Sequence, residues 1–300
     1  GLAMLKSKNS TISVVVSRSE GKARSFNRRT GLAKSATDYQ GFFSHYARNI
    51  DIVYIATPLE THVAIIQKCL EAGLNVVCEK PITFDESALK YLRDLANNKN
   101  VFLIEAMWSR YLPTNEVAKS WIAAGAIGDV ELIRLELRKR DSNLTRGIMK
   151  DFGIYAFSFI VDYCGPDVEI LECHVWNTAG VGDTDWNISW KASSVYGFLA
   201  LSKHVDASSK ALIKGTEGTI EFQSQFNRTN SVRLYDTQNK LVQQKKFKYR
   251  ADGYEYMVAT AEQAFFDVDA SPTDKSLDHS LAAIRILNRS CALADGFVKW

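Results

Sequence analysis

The sequence holds no C-x-x-C pair, and its five cysteines (Cys69, Cys78, Cys164, Cys173 and Cys291) are odd in number and widely spaced. That pattern excludes a dense disulfide framework and a zinc ribbon, and it suits a reduced compartment. No His/Cys/Asp/Glu cluster has ligand spacing, so no metal is expected. Apolar runs stop well short of the about 20 residues that a membrane-spanning helix needs. The opening residues lead one to expect no signal peptide. Charge of one sign is also scarce: the formal net charge is +3 over 300 residues. So small an excess gives no footprint for nucleic acid or an anionic membrane. What is present is 46% hydrophobic and 24% charged, the balance of a globular chain with a sizeable core. The expectation is a soluble, intracellular, cytoplasmic protein of one large or two medium domains.

The first hundred residues alternate between short apolar runs and helical patterns. "ISVVVS" (12–17), "DIVYIATP" (51–58), "NVVCEK" (75–80) and "VFLIEAM" (101–107) read as strands. The second of them is nearly apolar throughout, as a strand covered on both faces is. Between them lie the polar helix "EGKARSFNRR" and the helix "THVAIIQKCLEAG", with Val63, Ile66 and Leu70 on one side and Gly73 at its end. A third helix, "TFDESALKYLRDLAN", opens on a capping-box pattern, Thr83 with Glu86. Strands separated by such helices predict βαβ units and a doubly wound, Rossmann-type parallel sheet.

After about residue 112 the period changes. In "VELIRLELR", Ile133, Leu135 and Leu137 alternate with Arg134, Glu136 and Arg138, the period of a half-exposed antiparallel strand. A helix near 152–164 and several short strands to about 248 follow. Two helices close the chain, the last with Leu281, Ile284, Leu287, Cys291 and Ala294 on one stripe. The reading is α/β: a nucleotide-type domain over 1–112, then an α+β domain over 113–300 built on a large, mostly antiparallel sheet.

Ligands of open parallel sheets bind at the carboxyl ends of the strands. Those ends hold Ser17-Arg18-Ser19, Thr57-Pro58, Glu79-Lys80-Pro81 and Glu105-Ala106-Met107-Trp108. Proline at 81 keeps Lys80 out of the helical region. The combination "ATPLETH", "CEKP" and "EAMWSRYLP" resembles the glucose–fructose oxidoreductase / inositol dehydrogenase superfamily of nicotinamide-dependent enzymes. Within it, the sequence is similar to the dimeric trans-dihydrodiol dehydrogenases, which also oxidise aldopyranoses such as D-xylose. "KDFGIY" (150–155), "GVGDT" (180–184) and "IKGTEGTIEF" (213–222) extend the likeness.

The resemblance implies hydride transfer between a nicotinamide and a small-molecule hydroxyl, on a cyclic diol or a sugar. It sets Lys80 beside the nicotinamide and the reacting hydroxyl, Glu79 on the nicotinamide ribose, and Thr57, Pro58 and Pro81 nearby. His62 and Trp108 would line the substrate side. Asp151 and Tyr155 lie four apart and so share one helix face. Hydride leaves an alcohol carbon only if the hydroxyl proton leaves too, so a base is needed within reach. A phenol titrates near 10, too high for a base at neutral pH unless a nearby ammonium stabilises the phenolate. Tyr155 as acid/base with Lys80 as its electrostatic partner is the preferred division; the reverse stays open. Local readings stay open too: a locally bonded His62, Asp151 as a helix cap, Trp108 as packing. The basic stretch Lys245, Lys246, Lys248 and Arg250 reads as a solvated face. At the second-strand position where NAD enzymes keep an acid, Ser17 and Arg18 offer a hydroxyl and a guanidinium, which suit a 2′-phosphate. NADP is therefore expected over NAD.

Two departures stand against the likeness. The family's opening strand and G-x-G-x-x-G turn are absent, and alignment through "SVVVSR" sets Gly1 inside the first helix. The expectation is a sequence without its natural N-terminus, which leaves organelle targeting open, or a genuine loss. In addition, Arg146-Gly147-Ile148-Met149-Lys150 fills a segment where relatives carry a glycine pair. An alternative from another class follows: a non-catalytic descendant serving as scaffold, sensor or subunit of a larger assembly. Homo-oligomerisation through the open face of the second-domain sheet is expected, as relatives often pair there.

Overall fold

The computed structural model describes residues 2–32, 35–36, 38–140, 147–178, 182–204, 209–267 and 272–297. Its strands are β1 Val15–Val16, β2 Ser35–Ala36, β3 Ile52–Ile55, β4 Asn75–Glu79, β5 Leu103–Ala106, β6 Val130–Arg138, β7 Glu169–Thr178, β8 Gly182–Ala192, β9 Val195–Ser202, β10 Lys210–Gly215, β11 Gly218–Phe222, β12 Ser231–Asp236 and β13 Leu241–Lys246. Its helices are α1 Leu2–Leu5, α2 Glu20–Thr30, α3 Tyr39–His45, α4 His62–Glu71, α5 Glu86–Asn98, α6 Pro113–Ala123, α7 Ile154–Cys164, α8 Tyr254–Phe266 and α9 Pro272–Phe297. Two compact units result. One comprises Gly1–Thr83, Ser87–Ala106 and Arg250–Leu277; the other Phe84–Glu86, Met107–Tyr249 and Asp278–Trp300.

In the first unit β4 lies between β3 and β5, all parallel. Val76, Val77 and Cys78 are at most 2% exposed, which explains their unbroken apolar run: both faces are covered. α4 buries Ile65, Ile66, Cys69 and Leu70, a stripe at helical spacing. His62 begins that stripe and Val63 is only half-buried, so a polar residue occupies the expected apolar position. The β1 ladder is two residues long and pairs with β2 in parallel, a partner that the sequence pattern did not reveal. Arg250–Leu277 fall in this unit, where the Glu262 carboxylate accepts hydrogen bonds from Ser7 and Ser10.

The second unit is built on one eight-stranded sheet, ordered β13-β12-β11-β10-β6-β9-β8-β7. Only the β6–β9 pair among its neighbours is parallel. Ile133, Leu135 and Leu137 point into the core, as their alternation predicts, beside Leu199 and Leu201 of β9 and Trp186, Ile188 and Trp190 of β8. α7 is buried along Ile154–Val161, and its Phe159 ring meets Phe222 of β11 edge-on at 5.2 Å. Such a pair contributes about 0.5–1.5 kcal/mol beyond its buried area. The opposite face carries Tyr196, Phe198 and Trp176, each about half exposed.

Candidate functional site

The first unit sets the strand-end residues in a braced turn. Glu79, Lys80 and Pro81 leave the C-terminal end of the central strand β4. His62, 2% exposed at the start of α4, turns Nδ1 to the Pro81 carbonyl at 3.0 Å and Nε2 to the Thr57 carbonyl at 2.8 Å. A neutral imidazole donates one of these bonds, and a doubly protonated ring donates both. From the other side the Glu105 carboxylate, 2% exposed at the end of β5, accepts the Ile82 N–H at 3.0 Å. Glu105 in turn donates its own N–H to Ser276 Oγ at 3.2 Å. The turn that carries half-buried Lys80 is thus held by β3 and α4 on one flank and by β5 on the other.

Glu79 accepts a hydrogen bond from the Tyr54 hydroxyl. Burial first, then the Glu79 charge, push the Tyr54 phenol up, so it stays a donor. Burial, followed by the Glu105 and Glu79 carboxylates, also raises the Cys78 thiol, which is therefore no nucleophile. At the β1 end, the Ser17 N–H closes the ladder on Ala36 and its Oγ accepts the Ser19 N–H at 3.2 Å. Ser19 caps α2 through Lys22 N–H. Arg18 stands exposed on this turn. A hydroxyl and a guanidinium at one strand end, and an acid, a lysine and a proline at another, are a donor set that fits a nicotinamide dinucleotide.

The second unit holds the other candidates. A five-residue π turn, Met149–Gly153, leads into α7. Inserted π turns recur at functional sites, and this one contains Asp151, half-buried. Tyr155 follows in the first turn of α7, 7% exposed. Trp108, 3% exposed, donates its indole Nε1–H to the Tyr155 phenol oxygen at 3.2 Å, the two rings nearly perpendicular at 79°. The Phe152 ring lies 6.5 Å from that of Tyr155. At the far end of α7 the Asp162 carboxylate, 7% exposed, meets Arg110, Lys119 and His279 within 3.5 Å. Burial would raise this carboxyl; the His279 hydrogen bond and the two cations outweigh it and bring it down to about 2.

Lys80, Glu79, Pro81, Thr57, Pro58, His62, Ser17 and Arg18 therefore belong to the first unit; Asp151, Tyr155 and Trp108 belong to the second. The sequence reading gave no part to two participants: Glu105, which it placed only at a strand end, and Tyr54. Glu105 had a signal, a lone acid in the apolar run "VFLIEAM". Tyr54 had none, since a tyrosine in a strand is ordinary.

Residues 1–107 match the GFO/IDH/MocA family model, an oxidoreductase family with an NAD-binding Rossmann fold. The chain is similar to trans-1,2-dihydrobenzene-1,2-diol dehydrogenase from Macaca fuscata fuscata and from Homo sapiens, at 28% identity over 218 residues in each case. Those matches cover 69% of this chain and 64% of each relative, so just under two thirds of the relatives' length is spanned. The Mus musculus protein of the same name matches at 27% over 241 residues, 77% of this chain and 72% of that one. In fold, the chain is similar to aldose-aldose oxidoreductase from Caulobacter crescentus (TM-score 0.86, 15% identity, 99% of this chain and 93% of that one). It is similar also to KijD10, a 3-ketoreductase from Actinomadura kijaniata solved with TDP-benzene and NADP (TM-score 0.83, 17% identity, 95% of this chain and 90% of that one). Among the described residues, no helix is long and apolar enough to cross a membrane.

Proposed function

Because residues 1–107 match the GFO/IDH/MocA oxidoreductase family model, we propose an NADP-dependent dehydrogenase that acts on a hydroxyl of a cyclic diol or a sugar. The observation that carries this reading is the buried Trp108–Tyr155 hydrogen bond. An N–H donor on a phenol oxygen stabilises negative charge there, which is what a tyrosine serving as a base needs.

The residues take the following parts. Ser17 and Arg18 would hold the 2′-phosphate of the cofactor, Glu79 the nicotinamide ribose, and Thr57, Pro58 and Pro81 the surroundings of the ring. When bound, the nicotinamide supplies the hydride acceptor or donor. Tyr155 takes the substrate hydroxyl proton through its phenolate oxygen, and Trp108 bounds the substrate side while donating to that oxygen. Lys80 lends the positive charge that favours the phenolate. Asp151 accepts a hydrogen bond from a neighbouring substrate hydroxyl. His62 and Glu105 fix the Lys80 turn through its main chain, so their part is positioning.

Exposed Tyr196, Phe198 and Trp176 share one face of the large sheet, by the pairings Tyr196–Lys191, Phe198–Ser189 and Trp176–Asp185. A second copy of the chain covers this face in the proposed functional form, because large aromatics exposed on one sheet face mark interaction surfaces.

The test is a titration of the purified chain with NADPH and with NADH, following cofactor fluorescence. Saturable binding that favours NADPH is the expected result. A folded chain that binds neither contradicts the reading.

A further inference from the structure

The start of β8 departs from regular pairing. Trp176 of β7 faces Asp185, yet the next residue, Asn177, faces Asp183, so Thr184 is an extra residue on β8. A bulge of this kind bends the strand and re-aims a side chain. Thr184 is 1% exposed, and its hydroxyl donates to the Trp176 carbonyl at 3.1 Å, closing the irregular spot.

The consequence falls on Asp183. In regular β8, Trp186, Ile188 and Trp190 face the core, while Asp185 and Asn187 face away. Strict alternation would send Asp183 away with them. Instead its Oδ2 accepts the indole N–H of core-facing Trp186 at 2.6 Å. The same oxygen accepts the main-chain N–H of Met149 at 2.8 Å. Met149 opens the π turn, and the first N–H groups of a helical segment have no acceptor within it. One carboxylate oxygen therefore joins the bulged strand, the indole and the start of the turn that carries Asp151.

Gly147 makes the approach possible. Its φ is +81°, and a Cβ there would stand 1.5 Å from Asp183 Oδ1. No side chain fits, and no other residue adopts that backbone readily.

We infer that Asp183 is a positioning residue for this turn, with Gly147 as the clearance it requires. The inference rests on the proposed dehydrogenase reading and deepens it. Tyr155 is held separately in α7, by Trp108 and by the packing of the helix. Asp151 lies only two residues beyond Met149, so the carboxylate decides where Asp151 stands relative to the Tyr155 hydroxyl. Asparagine keeps a carbonyl oxygen that can accept both bonds; alanine keeps none.

The experiment compares Asp183→Ala, Asp183→Asn, Gly147→Ala and the Gly147→Ala/Asp183→Ala pair in the full chain. Readouts are substrate kcat/KM, NADPH affinity, the Trp186 indole resonance and hydrogen exchange at Met149. Asp183→Ala should lower kcat/KM by about 10²-fold, the scale of a misplaced reacting group. NADPH affinity should be unchanged. Asp183→Asn should stay within about threefold of wild type, since it preserves both acceptor bonds. Gly147→Ala should behave like Asp183→Ala, and the pair no worse than Asp183→Ala alone. Asp183→Asn and Gly147→Ala carry the test if Asp183→Ala does not fold. Wild-type kcat/KM in Asp183→Ala overturns the inference, as does equal loss in Asp183→Asn, which would point to charge instead of geometry. If the wild-type chain transfers no hydride, the dehydrogenase reading falls, while the indole resonance and Met149 exchange still test the bond itself. Unchanged values of both in Asp183→Ala would then refute the bond.

Discussion

The indole N–H of Trp108 donates to the phenol oxygen of Tyr155, with the two side chains 3% and 7% exposed. Forty-seven residues separate them in the sequence, so only the fold of the second unit brings the donor to this oxygen. Trp108→Phe keeps the ring and removes the N–H. A hydrogen bond to a charged group is worth about 1.5–3 kcal/mol, so kcat should fall about 10- to 100-fold. NADPH affinity should not move. A wild-type kcat in steady-state assays would show that the bond is packing only.

Lys80→Met removes the proposed positive charge. The ammonium favours the phenolate, so its loss should move the rising limb of the pH–rate profile for alcohol oxidation to higher pH and lower the neutral rate. An unshifted profile at reduced rate would make Lys80 a substrate contact without influence on the base.

Arg18→Ala tests the choice of cofactor. Loss of a guanidinium from a 2′-phosphate should weaken NADPH binding about tenfold and leave NADH binding nearly unchanged. Equal weakening of both, in parallel fluorescence titrations, would remove Arg18 from the 2′-phosphate.

Asp162 anchors α7 against Arg110, Lys119 and His279, and its carboxyl is lowered from 3.8 to about 2. A group lowered in the folded state is bound by a proton more readily in the unfolded chain. Its stabilisation is present above the ordinary carboxyl range and is lost as pH falls through about 2. Asp162→Asn should cost about 2 kcal/mol at neutral pH. It should also flatten the acid limb of stability below about pH 4. Denaturant unfolding at the two pH values measures both, and equal curves for variant and wild type would contradict the account.

Much of the scaffold was legible because it follows from periodicity. Val76–Cys78 had to be covered on both faces, and Ile133, Leu135 and Leu137 on one. Periodicity misread the start of α4, since it counts histidine as polar. His62 is buried because two main-chain carbonyls receive its ring, and no local pattern announces them. The strand-end residues were visible as charges where core strands carry none. Asp183 was not visible as more than part of "GVGDT": its role depends on a bulge that sets one extra residue against a partner strand. The membership of Arg250–Leu277 in the first unit was hidden for a similar reason, since composition does not reveal which unit a helix joins.

The most direct measurement follows reduced nicotinamide formation from NADP in the presence of a trans-dihydrodiol or D-xylose, with wild type beside Tyr155→Phe. Wild type should turn over, and the variant should bind NADPH as tightly yet turn over about 10²–10⁴-fold more slowly, the range of a lost acid/base group. Turnover by Tyr155→Phe at the wild-type rate would contradict the central claim.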